Sequence, residues 1–121
     1  CAASAQTYPA KAVRIIGPDP AGGTSDMLAR LLSPKLNEAF GQPVVVDNRP
    51  GANGNIGADL VAKSPPDGYL LMLADLGALS ISPSIYKLPF DVTRDLSPVT
   101  MVAYSPHLLA VHPSIPVKTT Q

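Results

Sequence analysis

The apolar positions fall into short solid runs separated by glycine- and proline-marked turns, with one long stretch of helical spacing between the first two runs. Val13-Arg14-Ile15-Ile16 predicts a first strand, short and buried. Thr24 to Phe40 predicts a helix, with Leu28, Leu31, Leu32 and Leu36 recurring at helical spacing as its core-facing stripe. Gly41 is a natural C-terminal stop. Pro34 interrupts this pattern: proline lacks the N–H of the helical ladder, so a kink or a split near Ser33 is expected. Val44-Val45-Val46 predicts a second strand, Arg49 to Asn55 a second glycine turn, and a second helix, capped at Asn55 or a neighbour, runs to about Lys63. Pro65-Pro66-Asp67-Gly68 is a turn. Tyr69 to Leu73 is almost wholly apolar and predicts a third strand, central in its sheet and buried on both faces. Asp75 to Ser82 reads as a loop or short helix, Ser84 to Phe90 as a loop with Tyr86 packed, and Asp91 and Asp95 around Arg94 as a solvated loop. Leu96 to Ala103 and Leu108 to Val111 read as two further strands, and Ile115 to Gln121 as an extended tail.

Strand–helix alternation with near-continuous apolar strands argues an α/β fold with a parallel sheet covered by helices. In open sheets of this kind ligands sit beyond the carboxyl ends of the strands. Residues 17–26, 47–55 and 74–82 should therefore converge on one surface. The first of these loops has its own chemistry. Gly22 and Gly23 allow close backbone approach, and Thr24, Ser25 and Asp26 are helix-capping types. A helix N-terminus offers free N–H groups and a partial positive charge, so this turn is a candidate cradle for a carboxylate or phosphate. A glycine turn between strand and helix also has a purely structural reading.

Composition narrows the function classes. Nine basic and nine acidic residues balance, and no basic patch suggests nucleic acid. The chain has 121 residues and is 45% hydrophobic, which suits about one domain with a core. The 14 prolines are spread along it and punctuate rather than mark disorder. His107 and His112 lack metal-ligand spacing, and no apolar run reaches the ~18 residues of a membrane helix. Gly51, Gly54 and Gly57 do not have the spacing of the dinucleotide fingerprint, there is no Walker lysine, and Ser80, Ser82 and Ser84 have no evident histidine partner. No cofactor is implied. Ala3-Ser4-Ala5 fits the small-x-small pattern before a signal-peptidase cut, which would make Cys1 a signal remnant. Alternatively Cys1 is the lipid-modified first residue of a lipoprotein, or position 1 is an arbitrary boundary.

The chain resembles the periplasmic solute-binding proteins of tripartite tricarboxylate transporters, the Bug or TctC-like family. The residues that carry the resemblance are Tyr8-Pro9-x-Lys11, Pro20-Ala21-Gly22-Gly23 with Asp26, Ala29-Arg30, Gly41-Gln42-Pro43-Val44-Val45-Val46 and Asn48-Arg49-Pro50-Gly51-Ala52. Gly54-Asn55-Ile56-Gly57-Ala58, Pro66-Asp67-Gly68-Tyr69, Ile81-x-Pro83-Ser84-x-Tyr86, Pro98-Val99 and Val111-His112-Pro113-Ser114 continue it, so that it spans residues 8 to 120. The resemblance implies the two-lobed, type II-like Venus-flytrap fold, here truncated to most of lobe one. Residues 1–10 would be a signal remnant or loose arm, 11–112 lobe one, and 113–121 the crossover toward a second lobe. It implies capture of a small organic acid, amino acid or related carboxylate in the periplasm and delivery to membrane permease subunits, without catalysis and without nucleic acid.

The resemblance places ligand contacts in the loops after strands one and three: Asp19, Pro20, Ala21, Gly22, Gly23 and Thr24 on one wall, Asp75, Leu76, Gly77 and Ala78 on the other. Three positions depart from the family's habit: Asp19 where an aromatic is usual, Asp75 near a usual hydroxyl residue, and Ala78 in place of a common Thr. Two aspartates facing a carboxylate would oppose it. Either they point away, Asp19 capping its turn and Asp75 solvated, or the ligand carries a positive group. Two other function classes stay open: a truncated product without a transport role, folding alone or acting as an interaction module paired with another chain, and a small α/β enzyme that binds phosphate at the glycine turn.

Overall fold

The computed structural model describes residues 8–104, 106, 110, 112, 114 and 115. Three parallel strands form the sheet: β1 (Val13–Gly17), β2 (Val44–Asn48) and β3 (Leu70–Met72), in the order β2-β1-β3. Ile15 of β1 lies opposite Val46 of β2 and Leu71 of β3. The strand buried on both faces is β1, because it alone has a neighbour on each side and a helix over each face. Val13, Ile15 and Ile16 are at most 5% exposed. Burying each such side chain contributes about 1.5–3 kcal/mol. The expected central strand, β3, is instead an edge of three half-buried residues.

Successive strand residues point to opposite faces, and the helices divide accordingly. Helix α1 (Thr24–Phe40) covers one face, where Val13 and Ile15 pack with Ala29 and Val44 and are flanked by Leu36 and Phe40. Helix α2 (Asn55–Ala62) covers the other. There the Cγ2 of Ile16 comes so close to Gly57 that a Cβ at that position would lie 3.1 Å from it. A parallel sheet covered on both sides is the fold that the alternating elements predict.

Helix α1 has the predicted limits and is not split. It runs through Pro34 without splitting, and the Ser33 hydroxyl donates to the Ala29 carbonyl at 2.7 Å. Its inward side is Ser25, Ala29, Leu32 and Leu36, so Leu31, expected in the stripe, is 65% exposed. Gly41 ends the helix in a left-handed conformation (φ 62°), its N–H bonded to the Asn37 carbonyl at 2.9 Å. The cap of α2 is Gly54, the neighbour of Asn55, which is the first helical residue.

After β3 the chain forms a π-type segment, Gly77–Ile81, that runs into α3 (Ser82–Ile85). Tyr86 follows in extended conformation and is 54% exposed rather than packed. The expected loop around Arg94 is a single helical turn, α4 (Val92–Asp95). Asp91 caps it by accepting from the Thr93 and Arg94 amides at 2.9 and 3.1 Å. Leu96 to Ala103 forms no strand: it has strand-like composition but no ladder partner, and Val99 and Met101 are at least 80% exposed. Most of the strand expected at 108–111, most of the tail expected from Ile115 to Gln121, and Cys1 lie outside the described residues. At the other end, residues 8–10 are tied to the body. The Tyr8 hydroxyl donates to the Gly68 carbonyl at 2.7 Å, and the Ala10 amide donates to the Tyr69 hydroxyl at 2.8 Å.

Candidate functional site

All three strands run the same way, so the loops that leave them share one sheet edge, and there they touch. Asn48 Nδ2 donates to the Asp19 carbonyl at 3.3 Å, and the Arg49 amide donates to the Gly17 carbonyl at 2.8 Å. Asn53 Nδ2 donates to the fully buried Ser82 Oγ at 3.1 Å. Gly54 is the point where the loops meet: a Cβ there would lie 3.0 Å from Pro18 Cβ and 3.2 Å from Ala78 Cβ. The predicted convergence of residues 17–26, 47–55 and 74–82 is what the structure shows.

Between these loops lies an open cleft of about 190 Å³, lined by Pro18, Asp19, Pro20, Pro50, Gly51, Asn53, Gly54 and Asp75. Sites that enclose a small molecule usually measure about 300–1,000 Å³. A cleft this small and open has the dimensions of one wall of a site. Asp19, Pro20 and Asp75 are the predicted site residues that line it. Ala78 is fully buried beneath it, against Gly54, and Gly77 packs against Asn53. Leu76 is half exposed. Ala21, Gly22, Gly23 and Thr24 stand outside the lining, at the start of α1.

The backbone amides at that helix start are largely spent within the protein. The Gly22 amide donates to Asp26 Oδ2 at 2.8 Å, the Gly23 amide to the Pro20 carbonyl at 2.9 Å, and the Ser25 amide to Asp19 Oδ2 at 3.1 Å. Asp19 thus places its own carboxylate where an anionic ligand was expected. It folds over Gly23 so tightly that a Cβ there would come within 2.7 Å of Asp19 Cβ, which explains the glycine. Asp26 is buried and also accepts from Arg30 Nε at 2.8 Å. The Arg30 guanidinium first, and then the Gly22 amide, hold its carboxyl below the usual carboxylate range. Asp75 caps the following segment, its Oδ1 accepting from the Ala78 amide at 3.0 Å.

Sequence reasoning placed the second glycine turn at this edge but assigned none of its residues to the site. Pro50, Gly51, Asn53 and Gly54 line the cleft. The available signal was the Asn53-Gly54 pair, since both residue types accept left-handed backbone, and Asn53 has φ 56° and Gly54 φ 83°.

The chain is similar to known proteins in sequence and in fold. The sequence profile described as tripartite tricarboxylate transporter family receptor matches residues 28–121. The chain is 47% identical over 117 residues to Protein BugT of Bordetella pertussis, covering 93% of this chain and 35% of that protein. Two solved structures are similar. One is Rpa4515 of Rhodopseudomonas palustris with adipate, at TM-score 0.57 and 47% identity, covering 58% of this chain and 23% of that one. The other is MatC from Rhodopseudomonas palustris with bound malate, at TM-score 0.68 and 31% identity, covering 73% of this chain and 30% of that one. The chain spans about a third of the length of the curated relatives it matches.

Proposed function

The chain belongs to the tripartite tricarboxylate transporter receptor family, and from that premise we propose that it forms one wall of an extracytoplasmic solute-binding site. The solute is a small carboxylate-bearing molecule. Asp19, Pro20 and Asp75 face it, with Asn53 between them, and residues 21–24 and 76–78 support the loops that carry them. The opposing wall corresponds to a part of the relatives that these residues do not span. The protein works in the periplasm and hands its solute to the permease subunits of the transporter. The site captures and does not catalyse: its lining offers caps, backbone and one amide, and no activated nucleophile.

The observation that carries this reading is a cleft shared by three loops at the carboxyl edge of a parallel sheet, where ligands of such sheets collect. The structural relatives bear adipate and malate, which agrees with a carboxylate solute. Amide hydrogen exchange of the full chain, with and without a panel of small mono- and dicarboxylates, tests it. Ligand-dependent protection confined to residues 17–26, 47–55 and 74–82 is the expected result. Protection elsewhere, or none with any carboxylate, overturns the proposal.

A further inference from the structure

We infer that the end of the solute meeting this wall is a hydrogen-bond donor, an ammonium or a primary amide, received by Asp19 and Asp75. This rests on the reading of the cleft as the solute site. The two aspartates come from different loops, one after β1 and one after β3, and both line the same cleft. Each is anchored by one oxygen, Asp19 Oδ2 to the Ser25 amide and Asp75 Oδ1 to the Ala78 amide. The other oxygen of each has no protein partner among the described residues.

Nothing on this wall offsets them. No lysine or arginine lines the cleft. Arg30 and Arg49, on the neighbouring elements, are held by Asp26 at 2.8 Å and Asp47 at 3.2 Å. The Gly22 and Gly23 amides of the first turn are engaged with Asp26 and Pro20, the Gly54 amide with the Gly51 carbonyl, and Asn53 Nδ2 with Ser82. The wall therefore presents acceptors. A plain dicarboxylate would set its second charge against two carboxylates without a cation to offset them. An ammonium or amide pairs with them instead, and leaves the solute's carboxylate for the opposite side of the site.

Three four-carbon probes isolate the difference: 4-aminobutanoate, succinamate and succinate share a carboxylate and differ only at the other end. Calorimetric titration into the full chain should rank them in that order, 4-aminobutanoate at least about tenfold tighter than succinate. In the double variant Asp19→Asn, Asp75→Asn that ratio should fall to about threefold or less. Asparagine keeps an oxygen for the Ser25 and Ala78 amides, so the caps survive. If the double variant does not fold, each single substitution carries the test, lowering the ratio about threefold. Succinate binding as tightly as 4-aminobutanoate, or a ratio indifferent to the substitutions, overturns this inference and leaves the solute-site reading standing. Binding of none of the three, nor of any other carboxylate, overturns both.

Discussion

The two glycine turns look alike in sequence and do different work. The turn after β1 carries Gly22 at φ 86° with nothing within 4 Å of an added Cβ, and it spends its amides on Asp19, Asp26 and Pro20. It is a helix start closed by its own side chains. The turn after β2 carries Gly54 at φ 83°, wedged between Pro18 and Ala78, and Asn53, bonded across to Ser82. It is the joint that brings the other two loops together. Glycine pairs and capping residues announce that a backbone can approach something closely; they do not say whether that something is a ligand or the protein itself. Here the turn with the stronger anion-binding appearance has supplied its own anion.

The largest effect expected from this difference is on Gly54. Left-handed backbone costs a residue with a Cβ about 1–2 kcal/mol. Gly54→Ala incurs that cost and also presses on Pro18 and Ala78, adding about 1–3 kcal/mol. Gly22→Ala has nearly the same φ and open space around it, so it incurs the first cost alone. Denaturant unfolding of the two variants should show Gly54→Ala as the less stable by about that packing cost. Equal losses would mean that the second turn is no more tightly packed than the first.

Next in size is Asn53. Removing its amide leaves the fully buried Ser82 hydroxyl without the partner it has in the structure, which costs about 1–3 kcal/mol. Asn53→Ala should therefore lower the denaturation midpoint. It should also speed hydrogen exchange in residues 74–82 more than in residues 17–26, because the bond it breaks reaches only the third loop. Uniform acceleration across both loops would show that Asn53 does not link the second turn specifically to the third.

The fold was largely legible because its strongest signals are local. Val13 to Ile16, the 17-residue pattern from Thr24 to Phe40 and the Val44 run each fix their own element, and parallel pairing follows from the helices between them. What was not legible depends on partners distant in sequence. Whether β3 is central or at an edge is decided by what lies beside it, not by its apolar content. Leu96 to Ala103 has strand composition, but a strand also needs a neighbour to accept its hydrogen bonds. The edge at which the site sits was readable, since a parallel sheet sends all its loops the same way. The lining was read only in part. Asp19 and Asp75 stood out as departures from a family pattern, whereas Asn53 acquires its role from Ser82, 29 residues away.

The smallest effect expected concerns pH, and it too separates the turns. Asp26 closes the first turn from inside, bonded to the Gly22 amide and Arg30, and its carboxyl is held below the ordinary range. The unfolded chain therefore takes up this proton at a higher pH than the folded protein does. The stabilisation is complete above the ordinary carboxylate value of about 3.9, and is lost as pH falls from there through the depressed folded value. Asp47 has a lowered carboxyl as well, from Arg14 first and then Arg49, and Asp91 and Asp95 also contribute to the acid slope. In Asp26→Asn the slope of stability against pH below about 4 should be shallower than in the parent chain, with the two curves parallel above it. Within the acid range, exchange should quicken in residues 17–26 of the parent before it does in residues 50–55, the glycine joint, which carries no titrating group. An unchanged slope in the variant would show that the first turn is not closed by its own carboxylate, and would reopen its amides to an anionic ligand.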